Sequence, residues 1–475
     1  MLSSFKARAQ KRKPDILAIE TAVVDLQYPK DGGGDALKHE FFAHLKELIT
    51  ADGNTALFDE NPRGGDMCLV PAEEFDAALI LFAQRHNIQF PFPISPTATP
   101  ADRAFVIRDY IFGTPVSVAG GSLANTFHAL VSSQLDGQQL VQGHFVTSIG
   151  VEDSANAFHD SMNGHIYCRR MGRQMECHVF PIDGDRILIA TPGRADPAES
   201  HIDIALFEDA LRWRKAHCPP AVETRIMLGG FLFFTPGFRG VCDAVIAHIQ
   251  GRPANDRPSL MLTASAQAVS AHPDFRAMVA KAAHVTDTTI HANTGEFRRL
   301  LDMDTDWRKP FDVDFTGLRG QALETAKSAH IAYRAAKDAA NVAAISAAFN
   351  QAAALKAAKE HTLRYVVTDG ARSIHVIGPQ GHEIFAPHKI EKAQIVNTVG
   401  AGDNFAAGFQ LADLYGLPHA DCASLASDFA AAVIQVPAAR LDGDRVVRVQ
   451  ESGIDYETRG ALSHIGQKAK SPQQP

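Results

Sequence analysis

Residues 397–409 read Asn-Thr-Val-Gly-Ala-Gly-Asp-Asn-Phe-Ala-Ala-Gly-Phe, and they are the most informative run in the chain. A Gly-Ala-Gly turn that opens a helix leaves backbone N–H groups without intrahelical partners. The helix dipole adds to the attraction of those groups for anions. The run therefore predicts an anion site at a helix N-terminus. Strand-like segments precede it at Ile374–Ile377, Ile384–Pro387 and Ile395–Val396.

Asp403 lies inside this predicted anion site. A carboxylate among anion-binding N–H groups has a chemical use if it takes a proton from a hydroxyl while the N–H groups hold a phosphoryl group in flight. The alternative is a glycine-rich turn in which Asp403 does no more than cap a helix.

The run resembles the C-terminal signature of the ribokinase-like (PfkB) family of carbohydrate and nucleoside kinases, Asp-Thr-x-Gly-Ala-Gly-Asp. It departs from that signature at Asn397, where most members have Asp. The resemblance covers roughly residues 15–445. It implies an α/β fold, with a three-layer α/β/α core and a small β-sheet lid, and transfer of the ATP γ-phosphate to a primary hydroxyl. It implies that Asp403 is the base. It also implies that the N–H groups of Gly400, Ala401, Gly402 and Asp403 stabilise the negative charge on the phosphoryl group during transfer.

Two further groups of residues resemble the family's acceptor site. Gly120 and Gly121 precede a predicted helix that carries Asn125. In the family, a Gly-Gly turn lets the backbone approach the sugar and the Asn binds its hydroxyls. Asp25 matches the position of an Asp that clamps two vicinal hydroxyls, a role that suits a carboxylate acceptor. In isolation, the glycines would be an ordinary helix start and Asp25 a strand-end cap.

The nucleotide side of the site is predicted from motifs that follow buried strands. Asn293 and Glu296 resemble the family's Asn-x-x-Glu motif, which orders magnesium waters near the phosphates, although the same spacing is that of a capping box. Thr368 and Gly370 resemble a strand ending Thr-x-Gly beside the phosphates. We add Thr398 to the predicted ATP contacts. The predicted cofactors are ATP and Mg²⁺.

Gly150 and Asp153 resemble the family's other signature, a strand ending in Gly-x-Asp, with one residue added. The position of this segment matches the order of motifs in the family, and we predict no chemical role for its residues.

Three sequence phrases favour a purine nucleoside as the acceptor. Val-Val-Asp25-Leu resembles nucleoside kinases, and the phrase Met261-Leu-Thr-Ala-Ser265-Ala resembles a segment of adenosine kinases. Asn397, together with the segment from Gly121 to Asn125, resembles inosine–guanosine kinases. The alternatives are a PfkB-type sugar kinase of the ribose or fructose class and a non-catalytic, kinase-like ligand-binding protein.

Composition narrows the class of protein. The net charge of −8 argues against a nucleic-acid partner. The chain has no apolar stretch of membrane-spanning length, no signal-peptide pattern and no Cys-x-x-Cys pair. We therefore predict a cytoplasmic protein, monomer or homodimer, whose partners are ATP and a small nucleoside or sugar. Neither a Gly-x-x-x-x-Gly-Lys-Ser/Thr loop nor an early Gly-x-Gly-x-x-Gly turn is present, which excludes the common P-loop and dinucleotide-binding classes.

The predicted domain organisation is a basic tail at 1–14, one kinase domain at 15–455 and a disordered tail at 456–475. Lid strands are predicted at about 15–30, 105–120 and 164–190. Residues 321–360 are rich in alanine, the best helix former, so we predict a helical insertion over about 302–360. Its role stays open between a cover over the nucleotide, a dimer contact and a solvated arm.

Overall fold

A computed structural model gives the fold. It describes residues 13–29, 34–51, 67–90, 95, 97–151, 153–162, 164–170, 172, 174–182, 185–191, 202–218, 223–235, 237–265, 269, 272–301, 319, 321–322, 324–325, 328–329, 332, 361–378, 381–396, 398–436, 445–450, 453–458 and 461–464. Most of the predicted basic tail and most of the predicted helical insertion therefore lie outside the described residues.

The strands are numbered in chain order. They are β1 (Asp15–Ile19), β2 (Val23–Gln27), β3 (Met67–Leu69), β4 (Val116–Gly120), β5 (Ser133–Leu135), β6 (Gln138–Gln139), β7 (Gln142–Ile149), β8 (Ile166–Arg170), β9 (Met175–Ile182), β10 (Asp185–Thr191), β11 (Arg225–Leu228), β12 (Ser259–Thr263), β13 (Thr288–Asn293), β14 (Leu363–Thr368), β15 (Ile374–Gly378), β16 (Gly381–Phe385), β17 (Arg445–Gln450), β18 (Gly453–Thr458) and β19 (Ala461–His464).

The helices are numbered in the same way. They are α1 (Gly34–Ala51), α2 (Ala72–Arg85), α3 (Pro100–Phe112), α4 (Ser122–Val131), α5 (Asp153–Ser161), α6 (Ile204–His217), α7 (Phe238–Gln250), α8 (Pro273–Ala282), α9 (Thr294–Leu300), α10 (Ala401–Leu414) and α11 (His419–Ile434).

A nine-stranded sheet forms the centre, in the order β16-β15-β14-β13-β12-β11-β1-β7-β8. The strands from β14 to β8 are parallel, and β15 and β16 add an antiparallel edge. Parallel strands are buried on both faces, which explains the continuous apolar runs in this part of the sequence. The carboxyl ends of β1, β11, β13 and β14 meet at one edge, where ligands bind in open α/β sheets.

Helices cover both faces of this sheet. Alternate β1 residues point to opposite faces. Ile16 and Ala18 pack in the core that includes α4, α5, α10 and α11, and Leu17 and Ile19 pack in the core that includes α6, α7, α8 and α9. The predicted three-layer α/β/α core is therefore confirmed.

A second, five-stranded sheet forms the lid, in the order β3-β10-β9-β2-β4. Its outer face packs against α1, α2 and α3 through aromatic side chains. Tyr28 and Phe180 stack with ring centroids 4.4 Å apart, and Phe41 and Phe112 meet edge to face at 5.2 Å. The predicted lid segments need one correction, because β1 and β8 belong to the central sheet.

The lid strand predicted over about 105–120 is wrong for its first part. Residues Pro100–Phe112 form α3, and only Val116–Gly120 is a strand. Thr99 and Asp102 cap the helix reciprocally, and Pro100 occupies its first turn, where a missing N–H is harmless.

The prediction of a disordered tail from 456 onwards is also wrong for part of its length. Residues Gly453–Thr458 and Ala461–His464 form strands β18 and β19 of a third sheet, in the order β19-β18-β17-β5-β6. Residues 465–475 lie outside the described part of the chain.

The strand predicted at residues 395 and 396 is also wrong. Both residues lie outside any strand, and the Val396 N–H donates to Ile434 O instead.

No helix among the described residues is long and apolar enough to cross a membrane.

Candidate active site

The predicted anion site lies at the N-terminus of α10. Gly400 precedes the helix with φ 76°, a left-handed conformation that a glycine adopts without strain. The backbone N–H and the side-chain Nδ2 of Asn404 both donate to Gly400 O at 2.9 Å, which fixes the turn. A Cβ atom placed on Gly402 would meet no atom within 4 Å outside its chain neighbours and the backbone of α10 itself, so this side of the first turn is open.

Asp403 faces α4, in the first turn of α10. Its Oδ1 accepts from Ser122 Oγ at 2.5 Å, and its Oδ2 accepts from Asn125 Nδ2 at 2.8 Å. The Thr126 hydroxyl donates to the backbone oxygen of Asp403 at 3.0 Å. The Gly-Gly segment and the C-terminal signature, far apart in sequence, therefore meet at one carboxylate. Asn125 is buried, and its Oδ1 has no hydrogen-bond partner among the described residues.

Asp25 lies next to the Gly-Gly turn. It is on β2, which pairs with β4 so that Val23 is opposite Gly120. The Asp25 carboxylate packs so closely on Gly120 that a Cβ atom there would overlap it. Gly121 has φ 90° and ends β4 ahead of α4. The structure thus brings Asp25 against the Gly-Gly turn, and the helix that follows this turn contacts Asp403.

The predicted nucleotide residues gather at the carboxyl ends of β13 and β14. Asn293 and Thr368 are in register on these adjacent parallel strands. Gly370 follows with φ 55° and is exposed. Thr398 lies in the turn before α10, where its backbone oxygen accepts from Ala401 N at 3.3 Å.

Asn293 and Glu296 form a capping box at the start of α9. Asn293 N donates to Glu296 Oε2 at 2.8 Å, and Glu296 N donates to Asn293 Oδ1 at 2.9 Å. These two hydrogen bonds are those of a capping box, which is the alternative explanation of the Asn-x-x-Glu spacing. The magnesium role of the pair stays a prediction.

Gly150 has a structural partner. Its N–H donates to Gln174 Oε1 at 3.0 Å, and Gln174 Nε2 donates to Ala22 O at 2.6 Å, so this segment fastens the β1–β2 turn. The side chain of Asp153 lies outside the described residues.

Sequence reasoning missed Glu20, Ser122 and Gln27. Glu20 is fully buried, and burial raises the pKa of its carboxyl to about 8, with a further contribution from the charge of Asp403. A glutamate directly after the apolar strand β1 was a signal for it. Ser122 is the third residue of the Gly-Gly-Ser run. Gln27 is on the same face of β2 as Asp25, and its Nε2 is buried without a partner among the described residues.

Comparisons with known proteins agree with this geometry. Residues 278–444 match the model of the pfkB family carbohydrate kinases. No curated protein sequence matches the chain.

Solved structures match over most of the chain. An adenosine kinase from Sinorhizobium meliloti is 17% identical, with 90% of this chain and 96% of that one covered and a TM-score of 0.54. The adenosine kinase of Schistosoma mansoni in complex with 2-fluoroadenosine is 13% identical, covering 90% and 98%, with a TM-score of 0.56. A probable sugar kinase from Rhizobium etli is 16% identical, covering 90% and 95%, with a TM-score of 0.53. At these identities the likeness concerns the fold.

The fold is that of the ribokinase-like kinases, and residues 278–444 match the model of the pfkB family. In fold and over this segment the chain is therefore similar to phosphotransferases of the PfkB type.

Proposed function

We propose that the protein is an ATP-dependent kinase that phosphorylates the primary (5′) hydroxyl of a purine nucleoside. The observation that carries the proposal is the position of Asp403. Its carboxylate lies in the first turn of α10 and contacts Asn125 of the predicted acceptor site and the nearby Ser122.

The proposed step is a direct transfer. The acceptor hydroxyl gives its proton to the Asp403 carboxylate, its oxygen forms a bond to the γ-phosphorus of ATP, and the bond from that phosphorus to the ADP oxygen breaks. The N–H groups of Gly400, Gly402 and Asp403 would meet the charge on the phosphoryl oxygens. The N–H of Ala401, which the sequence also predicted for this role, donates to Thr398 O instead. Catalysis would rest on placement and electrostatics.

The residues present fit a magnesium ion held mainly by phosphates and water. The described residues contain no group of three or more His, Cys, Asp or Glu that could hold a metal. Magnesium keeps several waters and does not need such a cage. Asn293 and Glu296 would contact its waters, and Thr368, Gly370 and Thr398 would contact the nucleotide. When bound, the ion neutralises phosphate charge.

A nucleoside fits the lid better than a free sugar does. Asp25 shares the inner face of the lid with a small buried apolar cluster: Val23, Met175, Cys177, Val179, Leu188, Ala190 and Phe231. A ligand with a vicinal diol and a large apolar ring system matches a carboxylate set in such surroundings. The ribose diol would bind Asp25, and the Asn125 Oδ1 would accept from a ribose hydroxyl.

Asp403→Asn tests the proposal. The variant keeps the shape of the side chain and removes the base, so kcat should fall by about 10³-fold or more while nucleoside affinity changes little. The matched control is Asp421→Asn, another half-buried aspartate in the first turn of a helix, α11, which should keep full activity. ADP release and calorimetric binding are the measurements.

The acceptor panel should include adenosine, inosine, guanosine, ribose and fructose. Turnover confined to ribose or fructose would replace the nucleoside proposal with a sugar kinase. Nucleoside binding without any turnover in the unmodified protein would identify a non-catalytic binding protein.

A further inference from the structure

We propose that Glu20 is a positioning residue of this active site, because it caps α4 from another strand and thereby holds Ser122 and Asn125 against Asp403. The inference rests on the proposed function and adds a residue to its machinery. Glu20 directly follows β1, so it reaches α4 from the central sheet.

The need for an outside cap comes from the Gly-Gly turn. Gly121 occupies the N-cap position of α4 and has no side chain to accept from the first-turn N–H groups. Leu123 N instead donates to Glu20 Oε2 at 2.9 Å, and Ala124 N also bonds this carboxyl. The helix dipole favours the ionised form of a carboxyl at this position, whereas burial opposes it.

The same carboxyl holds a second element. Phe231 N, in the 3₁₀ turn after β11, donates to Glu20 Oε1 at 3.4 Å. Gly229 leaves the necessary room, because a Cβ atom there would overlap the Glu20 carboxyl. One buried side chain therefore ties the start of α4 to the turn that carries Phe231 beneath the lid.

This cap bears on catalysis through the first turn of α4. Ser122 is its first residue, and Asn125 follows one turn later. Both donate to the Asp403 carboxylate, at 2.5 and 2.8 Å. A frayed first turn would release these donors, so the base would lose its orientation while Asp25 still held the acceptor. We therefore expect loss of this cap to lower kcat and to leave KM little changed.

The ionisation of Glu20 provides a second measurable effect, the pH dependence of turnover. From α10, the ionisable group that acts on Glu20 is Asp403, whereas α4 and the turn after β11 present backbone N–H groups. Burial and Asp403 raise the pKa of Glu20 to about 8. Above that pH a second negative charge stands beside Asp403, close to the arriving phosphoryl group. Turnover should therefore decline above about pH 8.

Three variants test the inference. Glu20→Ala should lower kcat by about 10-fold to 100-fold and leave the nucleoside KM within about 3-fold. Glu20→Gln keeps an acceptor for the α4 cap, so it should restore kcat at pH 7 to within about 3-fold and should lack the alkaline decline. The control is Glu223→Gln, a buried glutamate that pairs with Arg252 and His248 away from the site. It should lower the melting temperature without changing the pH profile.

Hydrogen exchange at Leu123 and Ala124 makes the test independent of turnover. Both amides should exchange faster in Glu20→Ala and remain protected in Glu20→Gln. If the unmodified protein phosphorylates no alcohol, the proposed function fails, and the exchange result still decides the cap. A full kcat in Glu20→Ala, unchanged exchange, or an alkaline decline that survives in Glu20→Gln would overturn the inference. If Glu20→Ala does not fold, the pH profile of Glu20→Gln decides.

Discussion

Gly120 illustrates what a missing side chain contributes to the candidate site. Its Cα lies against the Asp25 carboxylate, and any Cβ would occupy the space of that group. The sequence pattern predicted that the backbone comes close to a ligand here. The structure shows in addition that Gly120 gives room to the carboxylate proposed to bind the ligand.

Gly120→Ala should therefore disable acceptor binding. The added methyl displaces the Asp25 carboxylate, so kcat/KM for the nucleoside should fall by about 100-fold, mainly through KM. Gly378→Ala is the control, because a Cβ there would make an ordinary contact of 3.6 Å with Arg364. Steady-state kinetics with both variants make the comparison, and equal KM values would contradict the role of Gly120.

Glu20 should make stability depend on pH in a predictable direction. Its pKa is raised from 4.5 to about 8 in the folded protein. Between these values the folded state keeps a proton that the unfolded state has lost, so the free energy of unfolding decreases as pH rises through this window. Urea unfolding at pH 5 and pH 8 should show a smaller decrease in Glu20→Gln than in the unmodified protein. An identical decrease would contradict the expectation.

Asn397 bears on monovalent cations. In many members of the family an Asp at this position helps to bind such a cation, together with a Gly-Ala phrase near the C-terminus. This chain has Asn397, and Gln435-Val436-Pro437-Ala438 lacks the Gly. We therefore expect little change in activity when potassium replaces sodium in a coupled assay. A large stimulation by potassium would contradict this prediction.

At the scale of elements, α10 is fixed at both ends. Near its C-terminus, the half-buried Asp413 lies between two arginines of the sheet, with Arg225 Nη2 at 2.8 Å and Arg364 Nη2 at 2.7 Å. Burial opposes ionisation, but the two guanidinium groups more than offset it and hold the pKa of Asp413 well below its usual range. This ion triad anchors the helix whose other end carries Asp403.

Asp413→Asn should be strongly destabilising. It removes the carboxylate that pairs with both the buried guanidinium group of Arg225 and the half-buried one of Arg364, and the free energy of unfolding should fall by about 3–5 kcal/mol. Urea denaturation measures the loss, with Asp421→Asn, at a half-buried aspartate of α11, as the control. A change below about 0.5 kcal/mol would show that the arginines find other compensation.

The limits of prediction from sequence are clearest in α3. Residues 105–118 contain many apolar and β-branched side chains, which favoured a strand. The structure buries Ala104, Ile107 and Ile111 at helical spacing. The sequence feature that distinguishes a helix from a strand here is the capping pair Thr99 and Asp102 at the start of the segment. Long-range pairing cannot be read from the sequence in this way. That β1 belongs to the central sheet and β2 to the lid depends on partners about 100 to 200 residues away.

The predicted site residues divide along the same line. Asp403 and Asn125, which the structure brings into contact, could be predicted as neighbours because each stands in a motif whose spacing has a mechanical reason. Glu20 could not, because its proposed role depends on a helix that begins a hundred residues later. The Asn293–Glu296 pair shows the reverse case, a motif that a local cap already explains.

At the scale of the whole molecule, the site lies between the central sheet and the lid. Ligands that bridge them should stabilise the folded state by mass action, by about 2.7 kcal/mol at a hundredfold excess over Kd. A purine nucleoside with a non-hydrolysable ATP analogue should raise the melting temperature by about 5 °C. Ribose or fructose should raise it less. A larger shift with a sugar would favour the sugar-kinase alternative.

The three helices behind the lid have a mechanical consequence. Aromatic rings from α1, α2 and α3 are interleaved with Tyr28 and Phe180 of the sheet, so bending this sheet alone would open a packed interior. If the lid sheet moves, α1, α2 and α3 must therefore move with it as one rigid body. A fluorophore attached to α3 at Tyr110, which is 46% exposed, would report substrate binding from the side of the lid that faces away from the ligand.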